Sequence, residues 1–161
     1  MKLNICLMLA CLFSIGAEAA DGPETINLPP AIRFQFFANM RDHLLAVSEI
    51  QAALGEGKFE QAADIASSRL GLNASSSAAC RMQKPGMSHP LSHKDNSSLA
   101  KFMPPEMHEI GFKMHSAADK FALDARNAAA NRDYPAALSS LANITRQCVA
   151  CHAHFRIARG M

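Results

Sequence analysis

Two cysteines and a histidine near the C-terminus form the run Cys148-Val-Ala-Cys151-His152. On a helix, residues three and four positions apart share a face, so both thiols and the imidazole would point in one direction. A c-type haem requires two thiols that reach its vinyl groups and an imidazole that reaches the iron, and C-x-x-C-H is its attachment signal. The run therefore predicts one haem c per chain, attached through Cys148 and Cys151, with His152 as the proximal axial ligand of the iron.

Three alternative interpretations of this run compete with haem attachment. A thioredoxin-like dithiol requires a βαβ setting, and the periodicity of the chain indicates none. A zinc site requires a further ligand pattern nearby, such as a second cysteine pair, and the sequence offers none. The third is a chance match, which becomes less plausible if the chain is exported to the compartment where haem is attached.

The N-terminus has the pattern of a secretory signal peptide over residues 1–19. Lys2 precedes an apolar run from Ile5 to Ile15, and Ala17-Glu18-Ala19 fits the small-x-small cleavage pattern. The run is shorter than the roughly twenty apolar residues of a membrane-spanning helix, and the alternative is an N-terminal anchor that is never cut. Cleavage after Ala19 predicts a periplasmic mature chain of residues 20–161.

Export also determines how the cysteines are counted. Cys6 and Cys11 lie within the predicted signal peptide, so the mature chain keeps Cys80, Cys148 and Cys151. An odd number of cysteines in an oxidising compartment argues against a pure disulfide framework. Cys80 is then either a free thiol or part of an intermolecular disulfide.

Apolar periodicity predicts four amphipathic helices. The first runs from about Pro30 to Leu54 and the second from about Lys58 to Leu70, and a glycine follows each. The third opens at Pro104-Pro105-Glu106, because proline is tolerated in a first turn and a carboxylate suits the positive end of a helix. The fourth starts near Tyr134 and reaches Phe155.

Short links at 55–57 and 131–133 favour antiparallel neighbours, so the predicted fold is all-α, an antiparallel up-down four-helix bundle. Turn-forming residues at 72–103 predict a long irregular loop between helices 2 and 3. No segment after the signal is apolar enough to cross a membrane, so a soluble protein is expected. The net charge of +2 gives no indication of nucleic-acid binding.

A family resemblance follows from the run that continues through His154-Phe155-Arg156 at the end of the fourth helix. It resembles the class II c-type cytochromes, the cytochrome c prime and cytochrome c-556 group. Asn39-Met40 and Pro105-Glu106-Met107, with Gly111-Phe112 after it, are similar to this group as well. The resemblance spans about residues 30–156 without the central loop. It implies a domain of residues 20–161 with haem between the helices, redox partner proteins and a homodimer.

The resemblance also implies a candidate for the sixth position on the iron. In the electron-transfer members a methionine of the first helix fills it, and Met40 occupies the matching position. A thioether is a soft, neutral ligand, and Met/His ligation raises the reduction potential. The alternatives are that Met40 is a core residue, or that His43 supplies bis-histidine ligation. Arg41 and Asp42 flank His43, which predicts that it faces the polar side.

Arg156 is the candidate for a contact with a haem propionate. On helical geometry it lies one turn beyond His152, within reach of a charge-assisted hydrogen bond. Arg33 is a second and weaker candidate, and the alternative for both is a solvated surface arginine.

The predicted function is one-electron transfer by a low-spin, His/Met-ligated haem, without enzymatic activity. The main alternative is a five-coordinate protein that binds NO or CO, in which Phe36, Phe37 and Leu44 guard an open distal face. A peroxidase would require a distal acid–base pair, and the sequence indicates none.

Overall fold

The computed structural model describes residues 22–80 and 99–159. The predicted signal peptide, residues 1–19, and positions 81–98 of the predicted loop lie outside them. All four predicted helices are present, and the described residues are all-α apart from one pair of short strands. In chain order the elements are β1 (Glu24–Ile26), α1 (Pro30–Gly55), α2 (Phe59–Ile65), α3 (Pro105–Asn131), α4 (Tyr134–His154) and β2 (Phe155–Ile157).

The helix ends follow the signals in the sequence. Prolines stand in the first turns of α1 and α3, where a missing backbone N–H leaves no hydrogen bond unmade. Arg132 adopts a left-handed conformation (φ 62°) and ends α3, and its N–H donates to the carbonyl of Ala128. The carboxylate of Asp133 accepts from the N–H of Ala136 at 3.2 Å and caps α4. These signals lie next to each boundary, which explains why the bounds were predictable.

Small side chains hold the helices close together. α3 contacts α2 and α4, and α1 contacts α2. In α2 the buried residues are Phe59, Ala62 and Ala63. The largest fully buried apolar side chains of the described residues are Ile50, Leu70, Phe121 and Ile144. Burial of a side chain of this size contributes about 1.5–3 kcal/mol.

A pair of parallel strands, which the sequence analysis did not predict, joins the two ends of the described chain. The backbone becomes extended at Phe155, so α4 ends at His154 and β2 pairs with β1, with Thr25 opposite Arg156. Ile26 and Phe155 are buried in one apolar cluster. Three-residue strands lack the length that gives a periodicity signal, and their pairing depends on long-range contact.

The chain between α2 and α3 contains short helical turns at both described ends. Ala66–Leu70 continues α2 as a π-helical turn, and Ser75–Ala79 and Ala100–Phe102 form 3₁₀ turns. The buried hydroxyl of Ser77 donates to the carbonyl of Leu72 at 2.6 Å. These ends therefore differ from the irregular structure predicted for 72–103. Within residues 22–80 and 99–159, no helix combines the length and the apolar character that crossing a membrane requires.

Candidate haem site

The last turns of α4 carry Cys148, Cys151 and His152. Both cysteines are half-buried, and the Cys148 thiol donates to the carbonyl of Ile144 at 3.5 Å. His152 is exposed. Because the helix is regular through these positions, the three side chains share one face, as their spacing predicted.

That face forms one wall of an apolar cavity of about 410 Å³. Residues of α1 and α3 form other walls, and the turns at Ser76–Cys80 and Leu99–Met103 contribute further lining. Met107, Ile110 and Met114 are the buried apolar residues that α3 contributes. A volume of this size lies within the range of about 300–1,000 Å³ that small-molecule and cofactor sites occupy.

The α1 wall presents Phe37, Met40 and Leu44 to the same cavity. Met40 is half-buried and packs against the cluster that Cys151 also contacts. Leu44 is 71% exposed and Phe37 42% exposed, although both line the cavity. An apolar stripe left exposed along a cavity indicates a surface that an apolar group would cover.

The surroundings of the thiols argue against a redox dithiol. Burial, and then the neighbouring Cys148, raises the pKa of Cys151, and burial raises the pKa of Cys148. The reactive cysteine of a dithiol oxidoreductase has a lowered pKa, because its thiolate is the nucleophile. Among residues 22–80 and 99–159, no three His, Cys, Asp or Glu side chains are arranged to hold a metal ion, which is what the zinc alternative requires.

His43 does not lie on the polar side of α1, contrary to the prediction. Its ring lines the cavity and meets the buried ring of His115 edge to face, with centroids 5.5 Å apart and planes at 84°. The Nε2 atom of His43 is buried and has no hydrogen-bond partner in the described part of the chain. A helix turns by about 100° per residue, so charged neighbours such as Asp42 do not determine which way His43 faces.

Arg156 stands in β2, not in a continued helix. Its Nε donates to the hydroxyl of Thr25 at 2.7 Å, and it is not among the described residues that line the cavity. The one-turn spacing from His152 therefore does not apply, since α4 ends at His154. Arg33 is half-buried on α1 and is also absent from that lining.

Two further residues, Cys80 and His115, line the cavity. Cys80 lines it, and burial, with a smaller effect of Cys151, raises the pKa of its thiol to about 11. His115 is buried, and its Nδ1–H donates to the carbonyl of Leu70 at 2.6 Å. Cys80 reaches the cavity through a turn, and Leu70 lies 45 residues from His115, so no local pattern predicts these contacts.

The residues present fit a covalently attached haem. The cavity is apolar and large, and two thiols and an imidazole line one helical wall of it. A thioether lines another wall, and the buried Nε2 of His43 has no hydrogen-bond partner among residues 22–80 and 99–159. Comparison of the chain with models of protein families, with curated protein sequences and with solved structures finds no match, so this assignment rests on the residues and their arrangement.

Proposed function

We propose that this protein is a periplasmic monohaem c-type cytochrome that carries single electrons, with His152 and Met40 as the axial ligands. The observation that carries the proposal is that Cys148, Cys151, His152 and Met40 line one apolar cavity. A haem held there supplies an iron that gains and loses one electron. The protein would act with redox partner proteins and not on a substrate.

Each residue has a separate task in this proposal. The thiols of Cys148 and Cys151 would hold the haem by thioether bonds, since the addition of each S–H across one vinyl group releases no atom. His152 offers an imidazole nitrogen, and Met40 offers a neutral sulfur that raises the reduction potential. The apolar walls limit the access of water, which also influences the potential.

An antiparallel up-down arrangement of the four helices is part of the proposal. Positions 36–47 of α1 and 145–152 of α4 line the cavity together. Positions 51–55 of α1 and 134–141 of α4 line a separate depression, next to the stacked rings of Phe59 and Tyr134. The early part of α1 thus accompanies the late part of α4, which supports opposite directions for these two helices.

One observation favours a second candidate, a five-coordinate haem protein that binds NO or CO. Phe37 and Leu44, one turn before and after Met40, line the same cavity and remain partly or largely exposed. Bulky apolar side chains at this place would enclose a gas molecule if Met40 served only as packing. This candidate has the same haem attachment as the electron carrier and differs only in the sixth coordination position of the iron, which it leaves open.

The mass of the mature chain tests covalent haem attachment, which both candidate functions require. The chain is expressed with a signal peptide in a host that attaches c-type haem, and intact mass spectrometry is applied. We expect the mass to increase by one haem, and the increase to disappear in the Cys148→Ser/Cys151→Ser variant. Cys80→Ser is the matched control, because Cys80 lines the same cavity and should leave attachment intact. A wild-type chain without haem would refute both candidates.

Absorption spectra then separate the carrier from the gas binder. For the carrier we expect a low-spin spectrum with a thioether-to-iron charge-transfer band, and no change when carbon monoxide is added to the reduced protein. A high-spin reduced form that binds carbon monoxide would refute the carrier and support the second candidate.

A further inference from the structure

The imidazole of His43 is a buried polar group without a function in the proposal above. It lies three residues after Met40 on α1, and both side chains line the same cavity. Its Nε2 is shielded from solvent and has no hydrogen-bond partner among the described residues. A buried polar atom left unpaired is destabilising, so the present position of this nitrogen is unfavourable unless another partner becomes available.

Contacts from two other elements hold this ring at the cavity. His115 of α3 packs against it edge to face, and the hydrogen bond to Leu70 fixes the ring of His115. Leu70 ends the π-helical turn, and Arg69 in that turn pairs with Asp42, the residue before His43. Edge-to-face packing of two rings is weakly stabilising. A new partner for the buried nitrogen of His43 can therefore compensate for the loss of this ring contact.

The charge state of His43 suits a metal ligand. Burial and then His115 lower its pKa to about 4; Asp42 acts in the opposite direction, and Arg69 lowers it further. The imidazole is therefore neutral near pH 7, and one of its nitrogens carries a free lone pair. A metal ligand must be in this form, and no proton has to be displaced when it binds.

We propose that His43 is a reserve axial ligand of the haem iron, which takes the position opposite His152 when the thioether of Met40 leaves it. This inference rests on the proposed function. Met40 and His43 extend from neighbouring positions of one helix wall, so exchange requires side-chain rotation and no change of fold. Ligation would also give the buried nitrogen of His43 a partner, which no side chain or backbone group of residues 22–80 and 99–159 provides.

Three haem-loaded variants test this proposal: Met40→Ala, His43→Ala and the double variant. Absorption and ferric electron paramagnetic resonance report the ligands. We expect Met40→Ala to lose the thioether band and remain low-spin with two imidazole ligands. We expect the double variant to become high-spin and to bind carbon monoxide in the reduced state at least about tenfold faster than Met40→Ala. His43→Ala alone should keep the thioether band.

Met40→Ala/Leu44→Ala is the matched control, since Leu44 lines the same wall but offers no ligand atom. It should remain low-spin like Met40→Ala. Far-ultraviolet circular dichroism and intact mass establish that each variant is folded and carries haem before its spectrum is interpreted. His43→Gln replaces His43→Ala if the alanine variants do not fold.

Two results would overturn the proposal. In the first, Met40→Ala is as high-spin as the double variant, so that His43 never reaches the iron. In the second, the wild type has no thioether band and His43→Ala alone is high-spin, so that His43 is the resting ligand. Both differ from failure of haem attachment, which the mass of the wild type reveals independently.

Discussion

The two thiols of the candidate haem site are held by different parts of the core. Cys148 packs against the larger cluster, which contains Phe121 and Ile144. Cys151 packs against the smaller cluster, which contains Met107 and Phe155. Core packing thus fixes the direction of both side chains independently of a bound group. The same packing places Cys80 beside α3, where its position depends on one glycine.

Gly111 leaves the space that the side chain of Cys80 occupies. A Cβ atom at Gly111 would overlap Sγ of Cys80 and lie 3.1 Å from its Cβ. We expect Gly111→Ala to lower the free energy of unfolding by about 1–2 kcal/mol, despite the better helix propensity of alanine. Chemical denaturation followed by circular dichroism measures this change.

Two further variants control for the effect of alanine in a helix. Gly55→Ala meets nothing within 4 Å and should leave stability unchanged or raise it by up to about 1 kcal/mol. Adding Cys80→Ala to Gly111→Ala removes the closer contact and should restore part of the loss. Equal effects of the two glycine substitutions would contradict this account.

The buried His43 makes the fold sensitive to acid. Burial and His115 lower its pKa from 6.5 to about 4. Between these values the unfolded chain binds a proton that the folded chain does not bind, so the free energy of unfolding falls as the pH falls through this range. We expect urea denaturation at about pH 7 and about pH 5 to show a larger loss of stability for the wild type than for His43→Gln. Equal losses would mean that His43 does not titrate in this way.

At the scale of elements, the pairing of the two strands holds the two ends of the described chain together beside the candidate site. β2 begins directly after the helix that carries the haem motif, and β1 leads into the helix that carries Met40. The buried residues of the strands belong to the cluster against which Met40 and Cys151 pack. This small sheet therefore supports both walls of the cavity.

Phe155 provides most of the apolar surface of β2, and it is 6% exposed. We expect Phe155→Ala to lower the free energy of unfolding by about 3–5 kcal/mol, because a large buried side chain is replaced by a cavity. Phe34→Ala is the matched control: Phe34 is 71% exposed, and its loss should change stability by less than about 0.5 kcal/mol. Denaturation curves of the haem-loaded variants measure both changes. A small effect at Phe155 would show that the strand pair contributes little.

At the scale of the whole molecule, the cavity is the place where three of the helices meet. α1, α3 and α4 all border it, and the alanine-rich core lies beside it. A group that fills the cavity would bury the exposed apolar surface of Phe37 and Leu44 and contact all three helices. The stability of the fold should therefore depend on that group.

Removing the haem should destabilise the molecule as a whole. We expect the Cys148→Ser/Cys151→Ser variant, isolated without haem, to unfold with a free energy at least about 2 kcal/mol lower than that of the haem-loaded wild type. Haem-loaded Cys80→Ser is the control for a changed cysteine in the same cavity and should stay within about 1 kcal/mol of the wild type. Urea denaturation followed by circular dichroism measures these differences. Equal stability with and without haem would contradict a role of the cavity in holding the helices together.

Local sequence signals were sufficient to predict the four helices and to group the three residues of the C-x-x-C-H run. Proline, glycine and Asp133 mark helix ends through contacts within a few residues. The grouping of Cys148, Cys151 and His152 follows from the geometry of a single helix turn. These interactions join residues that are close in the sequence, so they can be predicted from the sequence alone.

Only the tertiary structure determined the contacts between residues that are distant in the sequence. The hydrogen bond between Arg156 and Thr25 joins residues 131 positions apart, and the ring contact between His43 and His115 joins two helices. No periodicity records such pairs, because a pattern along one element specifies which face is apolar and not what lies opposite it. The sequence thus determined which side chains share a helix face, and only the packing of one helix against another determined what those faces enclose.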